Sequence, residues 1–543
     1  MDFFYNRPED VVDETLRGLA RIAPVTLSEP QHGIRLAVDA QWRGDRVAII
    51  SGGGAGHEPA HAGFVGQGML AAAVAGELFT SPSVEAVLAA IRATCGPAGC
   101  LLIIKNYTGD RLNFGLAAER AVGEGYNVRS VIVADDVALP DADQQRGLAG
   151  TVLVHKIAGH YAAAGADLDT VAHMAERVCA SLCSLGLALS SCTLPGHAVD
   201  RRDAELGLGI HNEPGVSEVD PHDADAAIQL VVEPLLAAFD ARFDEGTSMI
   251  VLLNNLGGCA TQEMGVLMNS LLAAIPAARI ARVVTPAALM TSMDMHGFSV
   301  TLLPAEHDFV SALESPVDAI GWPGIRTPGA VTTFEPAVTD SAHDETGARD
   351  TTRESLLRAV IDMLVDARDE LDALDARVGD GDTGTTFAAG ARAVAAALDE
   401  GRLSSGEDAR LAHEIGDILA RDMGGSSGVL LSILCTATGA ALAEDSRWAQ
   451  ALGHGIERMQ HYGGAARGDR TLLDALIPAV EALATGADLH AAAKAARDGA
   501  DATRSMTRAR AGRSAYVPEN VLRDLADPGA EAIARIWQRL AEA

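Results

Sequence analysis

Residues 47–63 read VAIISGGGAGHEPAHAG. The β-branched run VAIIS has the composition of a strand buried on both faces, and it empties into GGGAG. A glycine-rich turn at the C-terminal end of such a strand lets backbone N–H groups close on a small polar ligand or an anion. The same grammar recurs along the chain. CLLIIKN (100–106), NVRSVIVADD (127–136) and SMIVLLNNLGG (248–258) read as buried strands that leave through Gly, Asn or Asp, with helical patterns such as 83–94 and 110–122 between them. Strands alternating with helices predict βαβ units and sheets that are at least partly parallel. SVTLLP (299–304) is expected to be the last strand of this region, and residues 1–330 fit two α/β subdomains dividing near 185–200.

From about residue 326 the periodicity fails. RTPGAVTTFEPAVTDSAHDETGARD (326–350) is polar, proline-bearing and aperiodic, so an interdomain linker is assigned to 331–350. From Thr351 to Ala543 strand signals vanish, and ESLLRAVIDMLVDARDELDALD and LLDALIPAVEALAT (472–485) show helical periodicity broken by Gly-rich corners. The expected fold class is multidomain: α/β first, then all-α.

Composition narrows the function. The 543 residues are 48% hydrophobic and 21% charged, a core-forming balance, with a formal net charge of -32. Such an acidic chain is not built to neutralise nucleic-acid phosphates or an anionic membrane. Residues 351–543 carry 21 basic and 30 acidic side chains, so most of the excess lies outside the helical part. The first residues, MDFFYNRPED, show no secretory signal, and no run of eighteen apolar residues free of charge or glycine predicts a membrane span. The seven cysteines (Cys95, Cys100, Cys179, Cys183, Cys192, Cys259 and Cys435) lack paired spacing, which suits a reducing cytoplasm.

Four segments can carry chemistry. In the first, HEPAH (57–61) matches the zinc-protease string HExxH, but glycines precede His57 and Pro59 marks a helix start that leaves His57 on the turn. No GK[ST] follows these glycines and they do not match GxGxxG, so neither standard nucleotide loop applies to this segment. In the second, Lys105, Asn106, Thr108 and Asp110 cluster where a strand meets a helix; read alone, Asp110 is an ordinary helix cap. In the third, ELGLGIHNEPG (205–215), His211 sits between glycines with Glu213-Pro214 forcing a turn. The fourth is LDALDARVGDGDTGTTFAAGA. Asp375, Asp380 and Asp382 repel one another unless a divalent cation lies between them. Downstream, RDMGGSSGVLLS (421–432) offers a Gly/Ser loop opening a helix, a phosphate cradle. Arg504, Arg508, Arg510 and Arg513 form a basic cluster, followed by a tight turn at Asp527-Pro528-Gly529. Together these point to a magnesium-nucleotide site without a P-loop.

GGGxGHEPxHAG, KNYTGDxxNF, GLGIHxEPG and DALDxxVGDGDTGxTF, in this order, resemble the single-chain ATP-dependent dihydroxyacetone kinases over nearly the whole chain. The resemblance implies a ketose-binding K domain (1–330) of two α/β subdomains. It implies an ATP-binding L domain (351–543) that is a closed barrel of eight antiparallel helices. By resemblance His211 captures the ketone carbonyl as a covalent hemiaminal, Asp110 takes the proton of the substrate's terminal hydroxyl, and His57 hydrogen-bonds the substrate oxygen. The backbone of Gly54, Ala55 and Gly56, together with Lys105, contacts the ketose. Asp375, Asp380 and Asp382 hold two Mg2+ ions. Thr383, Gly384, Thr385, Thr386, Ser426, Ser427, Gly468, Asp527, Pro528 and Gly529 meet the nucleotide, Ile477 packs near its base, and Arg513 meets the transferring phosphate. A head-to-tail homodimer, pairing the K domain of one chain with the L domain of the other, is expected on the same ground. Ala55 departs from the family's usual Ser, which leaves erythrulose or glyceraldehyde open as substrate; FAD cyclisation to a cyclic FMN is a further activity of relatives. A ketose-binding regulatory protein is the reading from another class, and the presence of His57, Asp110, His211 and all three aspartates argues against it.

Overall fold

The computed structural model describes residues 3–29, 33–138, 144–195, 203–336 and 348–543, apart from the side chains of Arg513 and Asn520. The chain divides into two compact units, Met1–Thr333 and Phe334–Ala543.

In the first unit, α1 (Val11–Ala20) precedes a six-stranded sheet built from β1 (Val25–Leu27), β2 (Leu36–Asp39), β3 (Ala48–Ala55), β4 (Ala72–Leu78), β5 (Cys100–Lys105) and β6 (Val128–Val133). Its order is β1-β2-β4-β3-β5-β6. The four strands β4, β3, β5 and β6 run parallel, and β1 and β2 join antiparallel at the edge. The crossovers are α2 (Val84–Thr94), whose first turn is capped by Ser83 at the N–H of Ala86, and α3 (Thr108–Gly123). The glycines after VAIIS do not form a turn, as the sequence suggested. They continue β3 to Ala55, and the whole strand is buried. Close packing explains their identity: a Cβ on Gly52 would lie 2.3 Å from the carbonyl oxygen of Val74, and one on Gly54 2.6 Å from the amide of Thr80.

After α4 (Thr151–Ala163) and α5 (Leu168–Ser181), the second sheet begins at β7 (Cys183–Ser190). It adds β8 (Glu205–Leu206), β9 (Ser217–Glu218), α6 (Ala224–Asp240), β10 (Met249–Asn255), α7 (Thr261–Ala274), β11 (Ile280–Ala287), β12 (His296–Pro304), α8 (His307–Glu314) and β13 (Ile325–Arg326). The order is β13-β11-β10-β12-β7-β8-β9. Here β10 and β11 pair parallel across α7 and the other pairs are antiparallel. Residues 288–295 are too few for a helical crossover, so β12 returns antiparallel beside β10. The stretch 299–304 is not the final strand, because the short β13 follows on the edge of β11.

The second unit is helical throughout its described residues: α9 (Thr351–Asp366), α10 (Arg368–Asp375), α11 (Thr383–Asp399), α12 (Asp408–Ile418), α13 (Gly425–Ala443), α14 (Trp448–Gly463), α15 (Leu473–Ala484), α16 (Leu489–Ala502), α17 (Glu519–Leu522) and α18 (Pro528–Glu542). The periodic stretch ending at Asp375 is two helices broken at Ala367, not one. Leu364, Phe387, Leu434, Leu476 and Trp537 are among the side chains lining an apolar interior cavity of about 460 Å³. Among the described residues α13 alone is long and apolar enough to cross a membrane, and it packs here between α12 and α14.

Candidate active site

The ends of β3 and β5 and the loops 207–215 and 288–295 bring the histidines together. His57 is buried, with Nδ1 2.7 Å from the carbonyl oxygen of Thr291. A carbonyl only accepts, so Nδ1 carries the proton and Nε2 keeps a bare lone pair. Burial, then the charges of Lys105 and His211, holds the imidazole well below its ordinary pKa and therefore neutral. Its ring stacks on Phe79 at 5.1 Å and meets His211 edge-on at 4.7 Å. Tyr107 closes the other side of His211 at 4.3 Å.

His211 is oriented by Glu213. The carboxylate accepts the backbone N–H of His211 at 3.0 Å and lies 3.5 Å from Nδ1, which favours the proton on Nδ1 and the lone pair on Nε2. Burial alone would raise Glu213, but the hydrogen bond and charge of His211 outweigh it and hold the carboxyl at about 2. Two further contacts pin this loop: Ser292 donates to the carbonyl of Ile210 at 2.7 Å, and Arg146 to that of Gly207 at 2.7 Å.

Lys105 ends β5, fully buried, and its Nζ has no hydrogen-bond partner among the described residues. Burial lowers its pKa against the opposing pull of Asp110 and Glu213. Asp110 lies buried in the first turn of α3; the N-cap position belongs to Tyr107, so the helix-cap reading of Asp110 does not hold. Gly56, at φ +97°, turns the chain out of β3 and gives its N–H to Glu58. Ala55 packs with Val11, Val12 and Leu16 beneath α1, so its methyl belongs to an apolar cluster. HEPAH is not helical. Its two histidines part company, His57 toward His211 and His61 toward His155, which removes the geometry a zinc peptidase needs.

In the helical unit, Asp375 ends α10, buried. Its Oδ2 accepts the N–H groups of Gly381, Asp382 and Thr383 at 3.0–3.1 Å. That wraps the loop so that one oxygen each of Asp375, Asp380 and Asp382 lies within 4.8 Å of the others. Asp382 is raised in pKa, first by burial and then by the charges of Asp375 and Asp372. Thr385 gives both its N–H and its hydroxyl to Asp372, while Gly384 sits against α10, where a Cβ would lie 1.9 Å from the carbonyl of Arg368. Thr386 stands one turn further into α11.

Gly424 and Gly425, both at positive φ, open α13, with Ser426 and Ser427 in its first turn where unsatisfied N–H groups project. Gly468 gives its N–H to Asp474, and Ile477 lies half-buried against the core. Asp527-Pro528-Gly529 is not an isolated tight turn but the start of α18, with Asp527 as N-cap to Ala530 and Pro528 at N1. Burial pushes the Asp527 carboxyl up to about 6, opposed by the Ala530 N–H and Arg470 and reinforced by Asp474 and Asp375. Arg504, Arg508 and Arg510 are exposed, and Arg504 pairs with Asp501. The side chain of Arg513 lies outside the described residues. Its neighbour Ser514 donates to the carbonyl of Val378 at 3.0 Å, which docks that segment on the aspartate loop.

A second group, Cys259, Glu263 and His296, also has cation-ligating types within 4.8 Å. Its carboxylate is already committed, accepting the N–H of Ala260 at the start of α7 and facing His296 Nε2 at 2.7 Å.

The Dak1 domain matches residues 17–321 and the DAK2 domain residues 377–542. A dihydroxyacetone kinase of Citrobacter freundii is 44% identical over 99% of both chains. The chain belongs to the dihydroxyacetone kinase family. A human triokinase/FMN cyclase is 38% identical over 98% of this chain and 97% of its own. The solved structure of the C. freundii dihydroxyacetone kinase in complex with AMP-PNP and Mg2+ covers all of this chain and 99% of its own, at 42% identity and a TM-score of 0.75.

Reading the sequence of this dihydroxyacetone kinase family member missed several site residues. Glu213 was visible, two positions after His211, but only as a turn former. Thr291, Arg146 and Asp372 had no local signal, since their roles arise from contacts distant in sequence. Arg470, fully buried with Nη2 donating to the carbonyl of Leu525, was hidden in an unremarkable GDRT.

Proposed function

We propose that this chain is an ATP-dependent kinase that phosphorylates a terminal hydroxyl of dihydroxyacetone or a similarly short ketose, held covalently on His211. The observation that carries the reading is the pairing of two imidazole nitrogens left as acceptors by what holds the other ring nitrogen. His57 presents Nε2 because Thr291 holds its Nδ1 proton, and Glu213 leaves the lone pair of His211 on Nε2. An imidazole so prepared adds to a ketone carbonyl: the N–C bond forms, the carbonyl π pair moves to oxygen, and as that oxygen takes up a proton the ring gives up its Nδ1 proton toward Glu213, so the adduct gains no net charge. Lys105, whose ammonium lies over the Tyr107 ring and has no hydrogen-bond acceptor among the described residues, supplies donors to the bound ketose. His57 Nε2 accepts a hydrogen bond from its hydroxyl. The buried carboxylate of Asp110 takes the proton of the terminal hydroxyl as that oxygen attacks the γ-phosphorus and ADP leaves, a direct transfer with no phosphoenzyme.

The donor set in the second unit fits magnesium. Asp375, Asp380 and Asp382 would hold two ions, and hard carboxylate oxygens are the ligands such ions favour. When bound, magnesium offsets the negative charge of the nucleotide phosphates. The N-terminus of α13 with Ser426 and Ser427, and Gly468 with Asp527–Gly529 at the start of α18, line the nucleotide. Arg513 serves the transferred phosphate, a role supported by the anchoring of its segment to Val378. The helical unit is read as a closed barrel of antiparallel helices, supported by the packing of α18 against α9 and by the apolar interior. Two chains are proposed to pair head to tail, each L unit serving the other chain's K unit.

Carbon-13 NMR tests the capture step. With dihydroxyacetone labelled at the ketone carbon, a tetrahedral-carbon signal should appear on binding and be absent in His211→Ala. A bound ketone signal that stays trigonal in the wild type would contradict the hemiaminal.

A further inference from the structure

The mechanism above leaves two buried imidazoles unused, and both lie beside Lys105. His61 is 5% exposed and His155, on α4, is fully buried; their rings meet edge-on at 5.3 Å. Ser51 sets the state of His61. Its hydroxyl proton goes to the carbonyl of Ile103 at 2.7 Å, so toward His61 Nδ1, 3.4 Å away, the Ser51 oxygen can only accept. The proton of His61 therefore sits on Nδ1, and Nε2 is a bare acceptor. Burial first, then the charge of Lys105, keeps this imidazole neutral.

His61 Nε2 and Lys105 Nζ are both buried without a partner among the described residues. They converge over β3: a Cβ at Gly53 would lie 3.4 Å from Lys105 Nζ and 3.5 Å from His61 Nε2. One is an acceptor without a donor, the other a donor of three protons without an acceptor. Two such buried atoms are each costly alone and complementary together.

We propose that His61 is a positioning residue for Lys105: its Nε2 accepts one N–H of the ammonium through a bridging water, and so turns the remaining two toward the ketose. Gly53 is the gap across which they meet, and His155 backs the His61 ring. The proposal rests on Lys105 being a ketose contact.

Two polar replacements separate position from mere polarity. In His61→Gln the amide oxygen reaches the place of Nε2, whereas in His61→Asn it stops near Nδ1. Steady-state kinetics with Mg-ATP and dihydroxyacetone should give His61→Gln a ketose KM within about threefold of wild type. His61→Asn and His61→Met should raise it about tenfold or more, the scale of one charge-assisted hydrogen bond, with the ATP KM unchanged in all three. If Asn and Met match Gln, or if the ATP KM rises alongside, the positioning role is wrong. Should Met fail to fold, the Gln and Asn pair decides alone, and failure of both to fold would assign His61 to the core and overturn the proposal. A wild type without ketose-dependent turnover would instead refute the kinase reading.

Discussion

At His57 a carbonyl decides the chemistry. The Thr291 oxygen at 2.7 Å consumes one ring proton and leaves the other nitrogen as an acceptor, and Glu213 does similar work at longer range for His211. Removing a ring should remove only its own task. His211→Ala is expected to lose ketose capture and raise the ketose KM strongly while still binding Mg-ATP, which isothermal titration with AMP-PNP can check. Asp110→Asn should retain the tetrahedral adduct by NMR yet lose about 10²- to 10⁴-fold in kcat, the usual worth of a general base. A kcat within tenfold of wild type would remove Asp110 from the proton transfer. At this scale His57, Asp110 and His211 could be named from the sequence because the strings around them resemble the family's, and the structure brings His57 and His211 together. Their partners could not, because Thr291 lies 234 positions from His57 and the sequence alone does not place them together. The packing of Ala55 was hidden for a related reason. Its place in the string suggested the carbonyl site and not that its side chain turns beneath α1.

Between elements, small residues and buried carboxylates fix how strands and helices meet. Gly384 lets α11 cross α10 within touching distance, so Gly384→Ala should lower the Tm and cost about 1–3 kcal/mol by overpacking; an unchanged melting curve would show that α10 shifts freely. Asp135 ties the loop before α4 to β7, accepting the N–H groups of Leu148 and Gly150 and the hydroxyl of Ser184. Burial pushes its carboxyl up to about 6, against the pull of those hydrogen bonds. The folded state therefore binds this proton more tightly than the unfolded chain. Its stabilising contribution is full below about pH 4 and is lost as pH rises toward 6. The stability difference between wild type and Asp135→Asn, measured by urea titration, should shrink between pH 4 and 6 and stay flat above 7; a difference independent of pH would place the titration elsewhere. Strand positions were readable from β-branched runs. The glycines of β3 were not, because glycine's usual role in turns hides a strand whose neighbours leave no room for a Cβ. The break at Ala367 was equally silent, since alanine interrupts no helical pattern.

For the molecule as a whole, the net charge of -32 does not oppose a nucleotide, because most of the excess lies outside the helical unit and three of that unit's aspartates are close enough to share a cation, whose charge would offset theirs. The two-unit division followed from composition, since a polar aperiodic stretch separates alternating strands from uninterrupted helices. The second sheet was less legible: periodicity marks a strand but does not say which neighbour it takes, and its largely antiparallel pairing depends on loop length. Head-to-tail pairing makes a specific demand. Mixing Asp110→Asn chains with Asp380→Ala chains, each strongly impaired alone, should restore up to a quarter of wild-type activity after exchange, through the one intact pair in each heterodimer; no recovery would favour transfer within one chain. The most direct test of the central claim is ADP release from Mg-ATP, followed with dihydroxyacetone, glyceraldehyde and both erythrulose enantiomers. The account predicts turnover that requires magnesium and a short carbonyl sugar, with one phosphorylated sugar formed per ADP. ADP release that is indifferent to every sugar, or absent altogether, would contradict it.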